Sequence, residues 1–347
     1  MLNIIMQNTD PRDYAKRFVN QIALSNFESV FEFPDSAGTF ISTGEAAHDQ
    51  FTSTVDGDAV IATYDDFIIN ADHIVTTSNR CKGLYLNILG DLKVDGTLSM
   101  TARGANVAGK YVVIDTLTGV IYYFPTEAAY SSQPTFVGDR ARFDTISAIG
   151  GLGRVNAVGN VGVNGACGAG GGLTGRGGTG SSFSGGSGAG GSGQANNAGA
   201  RNTNATIQAV KADTGAAGNG VAGTYAPASG GGGAGNPGGT SPAGAVRAGT
   251  NGTGGLMILF VHGEIIFGEN GSIQSHGSVG GSGGAQGVGP YTHWGQSGCG
   301  SGGGSLHVFH QNPIAAPEKI TATGGSAGES GNRGRNGGDG TVVIKEF

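Results

Sequence analysis

The sequence predicts a mainly β fold that also holds a bundle of polyproline/polyglycine II helices, with a short N-terminal helix and β-solenoid-like strand repeats. Three observations predict it. Glycine supplies 71 of the 347 residues. Glycine recurs at every third position in several runs, and a strand motif of about 25 residues occurs three times. Because glycine loses more backbone freedom on folding than any other residue, this many glycines indicate close backbone approach.

The N-terminal region predicts one helix followed by short strands. Asp10 can cap a helix, Pro11 suits its first position, and apolar residues then recur on one face to about Glu28. From Phe31 to about Thr77, β-type segments alternate with Gly, Asp and Asn turns. Residues 1–66 therefore form one predicted region, of a helix plus strands.

The repeat consists of an apolar strand, a turn and a second, alternating strand. Its copies cover Cys81–Gly104, Thr253–Gly277 and Gly303–Gly325, and each runs into glycine-rich sequence. Residues 110–149 interrupt the pattern and predict a small inserted β-subdomain within a region 67–149.

Glycine at every third residue matches the polyproline II helix, which has three residues per turn and no internal hydrogen bonds. Neighbouring helices must then supply the backbone partners, which only glycine permits at close range. The runs are too short and too poor in proline for collagen, and a flexible Gly/Ser linker is the competing interpretation. Residues 150–347 are predicted to form this bundle, with interleaved strands. Its two longest runs are Gly159, Gly162, Gly165, Gly168 and Gly171, and Gly325, Gly328, Gly331, Gly334, Gly337 and Gly340.

Composition excludes several classes of partner. Charged residues make up 13% of the chain, the net charge is −6 and no basic run occurs, so nucleic acid is not an expected partner. The first residues lack the pattern of a Sec signal peptide. The three cysteines, Cys81, Cys167 and Cys299, are odd in number and far apart, so we expect them to be reduced. No metal site or cofactor is predicted.

Two segments resemble a known family. The run GDLKVDGTLSMTARGA, from Gly90 to Ala105, and the ending GGDGTVVIKEF, from Gly337 to Phe347, resemble glycine-rich tail and tail-fibre proteins of bacteriophages. The alternation of glycine runs with variable segments is similar to the distal tail-fibre adhesins of T-even phages. That resemblance implies an N-terminal attachment domain, a layered glycine-rich sandwich, and loops at the tip that contact a host receptor.

The resemblance predicts a receptor-binding or structural protein of a phage tail, tail fibre or tail tip, and not an enzyme. The chain would be made in the host cytoplasm and reside in the virion. Its partners would be other tail or virion proteins, through the N-terminal region, and a host surface protein or glycan; a homotrimer is one assembly that such a scaffold allows. The alternatives are a purely structural virion component, such as a head fibre or baseplate cover, an ice-binding protein, or a glycan-degrading β-solenoid enzyme. The enzyme would need paired carboxylates, whereas those of the glycine-rich half are mostly isolated.

Receptor contacts are expected where side chains interrupt the glycines. Three interruptions qualify: Gln194–Ser229, Val288–Gln296 and His310–Glu318. The candidate receptor-binding residues are Tyr225, Tyr291, His293 and Trp294, because aromatic side chains dominate binding energy at interfaces. Glycines and Pro290 around Trp294 predict a loop there, and the competing interpretation is that Trp294 caps the bundle.

Overall fold

The structure is a computed structural model that describes residues 29–107, 111–124, 143–146, 182–186, 252–282, 285–288, 291–294, 298–328 and 336–347. Within these ranges the chain is mainly β, as predicted. The predicted helix from Asp10 to Glu28 lies outside the described residues. No helix in the described ranges has the length and apolar character needed to span a membrane.

Three parallel sheets form the body of the protein, and successive strands along the chain join different sheets. The first sheet has the strands β4 (Val60–Tyr64), β7 (Leu84–Ile88), β13 (Leu256–Val261), β18 (Ser305–His310) and β20 (Thr341–Glu346). The second sheet has β2 (Phe40–Ile41), β5 (Phe67–Ile69), β8 (Leu92–Val94) and β14 (Ile265–Phe267). The third sheet has β3 (Gln50–Phe51), β6 (Ile74–Thr77), β9 (Thr97–Ser99), β15 (Ser272–Gln274) and β19 (Ile320–Thr321). A four-residue helix, α1 (Ala46–Asp49), precedes β3, and a 3-10 turn (Pro317–Lys319) precedes β19.

The repeat copies stack in register within these sheets. In the third sheet Leu98 pairs with Ile273, and Ile273 pairs with Ile320, so the predicted second strands of all three copies are neighbours. The first sheet aligns the copies in the same way through β7, β13 and β18. The residues before the first copy belong to the same stack, because β4 pairs with β7 and β2 pairs with β5. The predicted boundary at residue 66 therefore falls between strands of one body.

The interior of the stack is a continuous apolar core. Inward side chains from all three sheets form it, including Phe67, Leu86, Leu98 and Leu259, each with no exposed surface. Phe40 stacks on Phe67 with ring centroids 4.3 Å apart, in adjacent strands of the second sheet. Because successive side chains of a strand point to opposite faces of the sheet, the remaining positions face away from this core.

A separate antiparallel sheet, the side sheet, packs on the outer surface of the first sheet. Its strands are β1 (Ser29–Phe31), β11 (Ile121–Phe124), β10 (Tyr111–Asp115) and β12 (Phe143–Ile146), in that spatial order. Three of these strands come from the predicted insertion, residues 110–149. Val112, Ile114 and Tyr123 of the side sheet bury a second apolar cluster against Tyr85 and Ile258 of the first sheet.

Glycine-rich segments continue the stack beside the third sheet. The N–H groups of Gly277 and Gly280 donate to the carbonyls of Thr323 and Ser326, at 2.9 Å each. Other segments are joined in the same three-residue steps. The N–H groups of Gly325 and Gly328 donate to the carbonyls of Ser301 and Gly298, and those of Ser301 and Gly298 donate to the carbonyls of Ser278 and Gly281. The N–H groups of Gly337 and Gly340 donate to the carbonyls of Gly325 and Ala322. These backbone groups are therefore paired between segments distant in sequence.

One cysteine prediction is wrong. Cys81 is free and buried, as expected of a reduced thiol, but Cys299 is disulfide-bonded. The one remaining cysteine of the chain, Cys167, lies outside the described residues. The odd number and wide spacing of the cysteines do not predict their redox state, because a fold that stacks distant segments brings cysteines together regardless of their separation in sequence.

Candidate functional site

A groove of about 500 Å³ lies where the side sheet overhangs the first sheet. Its floor is at the carboxyl ends of the first-sheet strands, where Asn87 and Phe260 are opposite each other in β7 and β13. The turn between β10 and β11, residues 116–120, forms one wall. Glu32, Phe33 and Phe347 also line the groove. This volume lies in the range of pockets that hold small ligands, about 300–1,000 Å³.

Parallel register aligns outward side chains of the first sheet in two rows. The first row crosses four strands through Asn87, Phe260, Phe309 and Lys345. The second row lies two residues further along each strand, at Leu89, His262, Gln311 and Phe347, where backbone bonds such as His262 N–H to the Ile88 carbonyl continue the ladder. Of these residues, Asn87, Leu89, Phe260, His262 and Phe347 line the groove.

A chain of side-chain hydrogen bonds crosses the floor through His262. Its Nε2 lies 3.0 Å from Oδ1 of Asn87, and its Nδ1 lies 3.3 Å from Nε2 of Gln311. Since an amide nitrogen only donates and an amide oxygen only accepts, the ring accepts from Gln311 at Nδ1 and donates to Asn87 from Nε2. This assignment leaves the Asn87 amide N–H groups directed away from the ring, as donors for a ligand.

Burial lowers the pKa of His262 below its ordinary value. The imidazole is therefore neutral at pH 7, which is the state that this chain of hydrogen bonds requires. Protonation would add a hydrogen to Nδ1, the atom that accepts from Gln311, and would break that bond.

Aromatic rings form the apolar surface of the groove. Phe33 and Phe347 both meet Phe260 edge-on, with centroid separations of 5.7 and 5.4 Å. Phe347 also stands perpendicular to the His262 ring, at 5.2 Å. Phe260 is almost fully buried, whereas Phe33 and Phe347 are partly exposed. The two exposed rings thus present apolar surface beside the polar floor.

The overhanging turn has a backbone that suits glycine. Gly119 has φ of +72°, in the left-handed region, and its N–H donates to the Asp115 carbonyl at 2.8 Å. The Asp115 carboxylate accepts from the N–H of Leu117 at 3.1 Å. Leu117, at the tip, is 75% exposed. The turn is therefore braced at its base and presents an apolar side chain at the groove.

The predicted loop around Trp294 is a strand, so that prediction is wrong. Tyr291–Trp294 forms β17, which pairs antiparallel with β16 (Ala285–Val288). Tyr291 is opposite Val288, His293 opposite Gln286 and Trp294 opposite Ala285. The aromatic and β-branched residues of this segment favour strand. Three predicted binding residues therefore share one strand, and Tyr225 lies outside the described residues.

Four of the predicted scaffold glycines lie within the described residues. Gly325, Gly328, Gly337 and Gly340 all take part in the bonds between glycine-rich segments. A Cβ atom at each would come closer than 3.0 Å to a backbone oxygen of another segment, a distance that real Cβ atoms essentially never show. The others lie outside the described residues: Gly159, Gly162, Gly165, Gly168, Gly171, Gly331 and Gly334.

A Ser–His–Asp cluster near α1 does not have the geometry of a nucleophilic triad. Ser42 Oγ lies 2.8 Å from Nδ1 of His73, and Asp49 approaches that same nitrogen at 4.0 Å. A catalytic triad requires the serine and the aspartate to contact different nitrogens of the histidine ring. In addition, the Ser42 residue is only 2% exposed to solvent. Burial raises the pKa of Asp49, but hydrogen bonds from His48, Thr43 and Gly44 outweigh it and hold that pKa below its ordinary value. The cluster therefore holds the chain around α1.

No cluster of three or more His, Cys, Asp or Glu side chains with the arrangement of a metal site occurs in the part of the chain that the structure describes. No family model, curated protein or solved structure matches this chain. Its function must therefore be inferred from its own geometry.

The groove residues were missed by the sequence interpretation, although a signal was present. Aligning the repeat copies on their apolar strands places Asn87, Phe260 and Phe309 at one position. Two residues later stand Leu89, His262 and Gln311. Polar and aromatic residues at outward positions of a buried strand indicate a surface with a specific contact. The overhanging side sheet, however, has no counterpart in the repeat.

Proposed function

We propose that this protein is a structural, receptor-binding component of a bacteriophage tail, tail fibre or tail tip. In this proposal the three parallel sheets are a β-solenoid, and the glycine-rich segments beside them are polyglycine II helices packed as a sandwich. The scaffold holds binding side chains in a rigid arrangement, and the N-terminal region attaches it to other virion proteins.

One observation carries the proposal: glycine-rich segments far apart in sequence exchange backbone hydrogen bonds at every third residue. A helix with three residues per turn and no internal bonds would present its N–H groups to neighbours with this period. The approach is so close that side chains are excluded at Gly277, Gly325 and Gly340. A flexible linker gives no reason for either feature, whereas a rigid adhesin scaffold does.

The placement of side chains supports a binding role for this scaffold. The hairpin β16–β17 interrupts the glycine-rich sequence between Ser282 and Gly298 and contains Tyr291, His293 and Trp294. A short hairpin on a rigid frame loses little conformational freedom on binding, which favours affinity. This supports the assignment of the receptor contact to that hairpin.

Adsorption to bacteria tests the proposal. The purified, fluorescently labelled full chain is incubated with a panel of bacterial strains, and binding is measured by flow cytometry with unlabelled chain as competitor. Saturable, competed binding to a strain is expected. Immunogold microscopy with antibodies to the chain measures whether intact virions contain it. A chain that is present in virions yet adsorbs to no strain that the phage infects would instead be a purely structural virion component.

A further inference from the structure

We infer that the groove between the side sheet and the first sheet is a binding site for a neutral sugar, and that its floor residue Asn87 and its wall residue Phe347 contact that sugar. The inference rests on the proposed function, because it names the chemistry of a ligand on a host surface. It concerns a site separate from the predicted receptor hairpin.

The polar floor fits the hydroxyl groups of a sugar. The orientation of His262 between Gln311 and Asn87 leaves the Asn87 amide nitrogen as a donor, and this nitrogen makes no other hydrogen bond within the part of the chain that the structure describes. Glu32 supplies an exposed carboxylate with two acceptor oxygens, and Thr118 supplies a hydroxyl. Donors and acceptors therefore occur side by side, as adjacent hydroxyl groups require.

The apolar walls fit the other half of the same ligand. A pyranose ring has a face of C–H groups that packs against aromatic rings, and Phe33 and Phe347 provide partly exposed rings on the groove. Both rings are held by edge contacts with the buried Phe260, so ligand binding does not have to order them. Leu117 at the tip of the overhanging turn adds further apolar surface.

Charge decides between classes of sugar. Among the described residues that line the groove, Glu32 carries the one side-chain carboxylate, and none is a lysine or an arginine. An acidic sugar would meet that carboxylate without a cation to pair with, and like charges in a partly enclosed site repel. A neutral hexose or N-acetylhexosamine has no such cost. An apolar peptide, in turn, would leave the Asn87 amide and the Glu32 carboxylate without partners.

The experiment measures binding of methyl glycosides of neutral hexoses and N-acetylhexosamines to the purified full chain, by saturation-transfer NMR and calorimetry. Glucuronic and galacturonic acids serve as acidic counterparts. We expect binding of at least one neutral glycoside and at least about tenfold weaker binding of its acidic counterpart. Preference for the acidic sugars would overturn the inference.

Two variants locate the site. Asn87→Asp keeps the oxygen that accepts from His262 but removes the amide donor, and Phe347→Ala removes one ring; each is expected to weaken binding at least about tenfold, the effect of losing one good contact. Asn270→Asp makes the same charge change at an exposed position outside the groove, and Ile344→Ala shortens an exposed side chain of β20; both should bind like wild type. Unchanged binding by Asn87→Asp and Phe347→Ala would overturn the inference.

The two proposals fail separately. If no neutral glycoside binds but the chain adsorbs to bacteria, even after periodate oxidation of their glycans, then the groove inference is wrong and a protein receptor is indicated. If a glycoside binds in the groove but the chain neither adsorbs to bacteria nor occurs in virions, then the site stands and the assignment to a phage tail is wrong.

Discussion

Replacing Gly325 by alanine tests whether the glycine-rich segments pack through their backbones. Gly325 is buried between two other segments: its N–H donates to the Ser301 carbonyl at 2.8 Å, and its own carbonyl accepts from Gly337 at 2.8 Å. A Cβ atom at this position would lie 2.0 Å from the carbonyl oxygen of Ser278, whereas ordinary contacts lie at 3.4–4 Å. A single methyl group therefore forces the segments apart by more than 1 Å.

The cost of the substitution follows from that displacement. Overpacking a tight interior costs about 1–3 kcal/mol, and each buried peptide group that loses its hydrogen bond costs about 1–3 kcal/mol more. Alanine also restricts the unfolded chain, which returns about 0.4–1 kcal/mol. We expect a net loss of about 2 kcal/mol or more, equivalent to a drop in melting temperature of about 3 °C or more for a chain of 347 residues.

Thermal and urea denaturation, followed by circular dichroism, measure this loss. The matched control is Ser326→Thr, which adds one methyl group at the next residue, where the side chain is exposed. That control should change stability by no more than about 0.5 kcal/mol. If Gly325→Ala melted together with wild type and Ser326→Thr, the segments would not be packed through their backbones, and the scaffold proposal would lose its basis.

Three further predictions concern the cysteines, a buried histidine and the hairpin. Alkylation of the unreduced chain should label no thiol in the native state and one, Cys81, after denaturation; three labelled thiols without reductant would contradict the disulfide. Burial lowers the pKa of His276, whose Nδ1 accepts the N–H of Thr323 at 2.9 Å, despite the opposing effect of Asp339. The unfolded chain therefore takes up the proton first, so stability is full above about pH 6.5 and falls as the pH drops below it. Urea titrations from pH 7 to 5 should show a smaller fall for His276→Gln, and an identical fall would refute this role. Finally, Trp294→Ala should weaken adsorption to bacteria by about thirtyfold, the loss of a 2 kcal/mol hot spot, while the melting temperature is kept; a large drop in melting temperature with unchanged adsorption would reassign Trp294 to packing.

The strand repeat shows how local sequence predicts stacking. Each copy carries an apolar strand of five or six residues and a second strand with one inward residue, such as Leu98 or Ile273. Matching inward positions let each copy bury these residues on the copy below, and the turn before the second strand of the second copy accommodates two extra residues. The strands before the first copy, around Phe40 and Phe67, have the same pattern of inward residues but a less similar sequence. The sequence therefore predicts them only as successive strands.

The hairpin and the disulfide show where local reasoning failed. Glycine and proline around Trp294 indicate a turn but do not specify how many residues it contains. The strands on either side depend on pairing between Ala285 and Trp294. The bond at Cys299 depends on which segments lie side by side, which spacing along the chain does not reveal.

The sequence by itself determined the mainly β class, the stacking of the repeat copies, and the positions at which only glycine is tolerated, because these follow from periods of two and three along the chain. The tertiary structure decided the groove. Asn87, His262 and Gln311 come from three different copies, and the rings of Phe33 and Phe347 come from near opposite ends of the chain. They meet because the side sheet, whose strands have no place in the repeat, buries its apolar face on the first sheet and overhangs the strand ends.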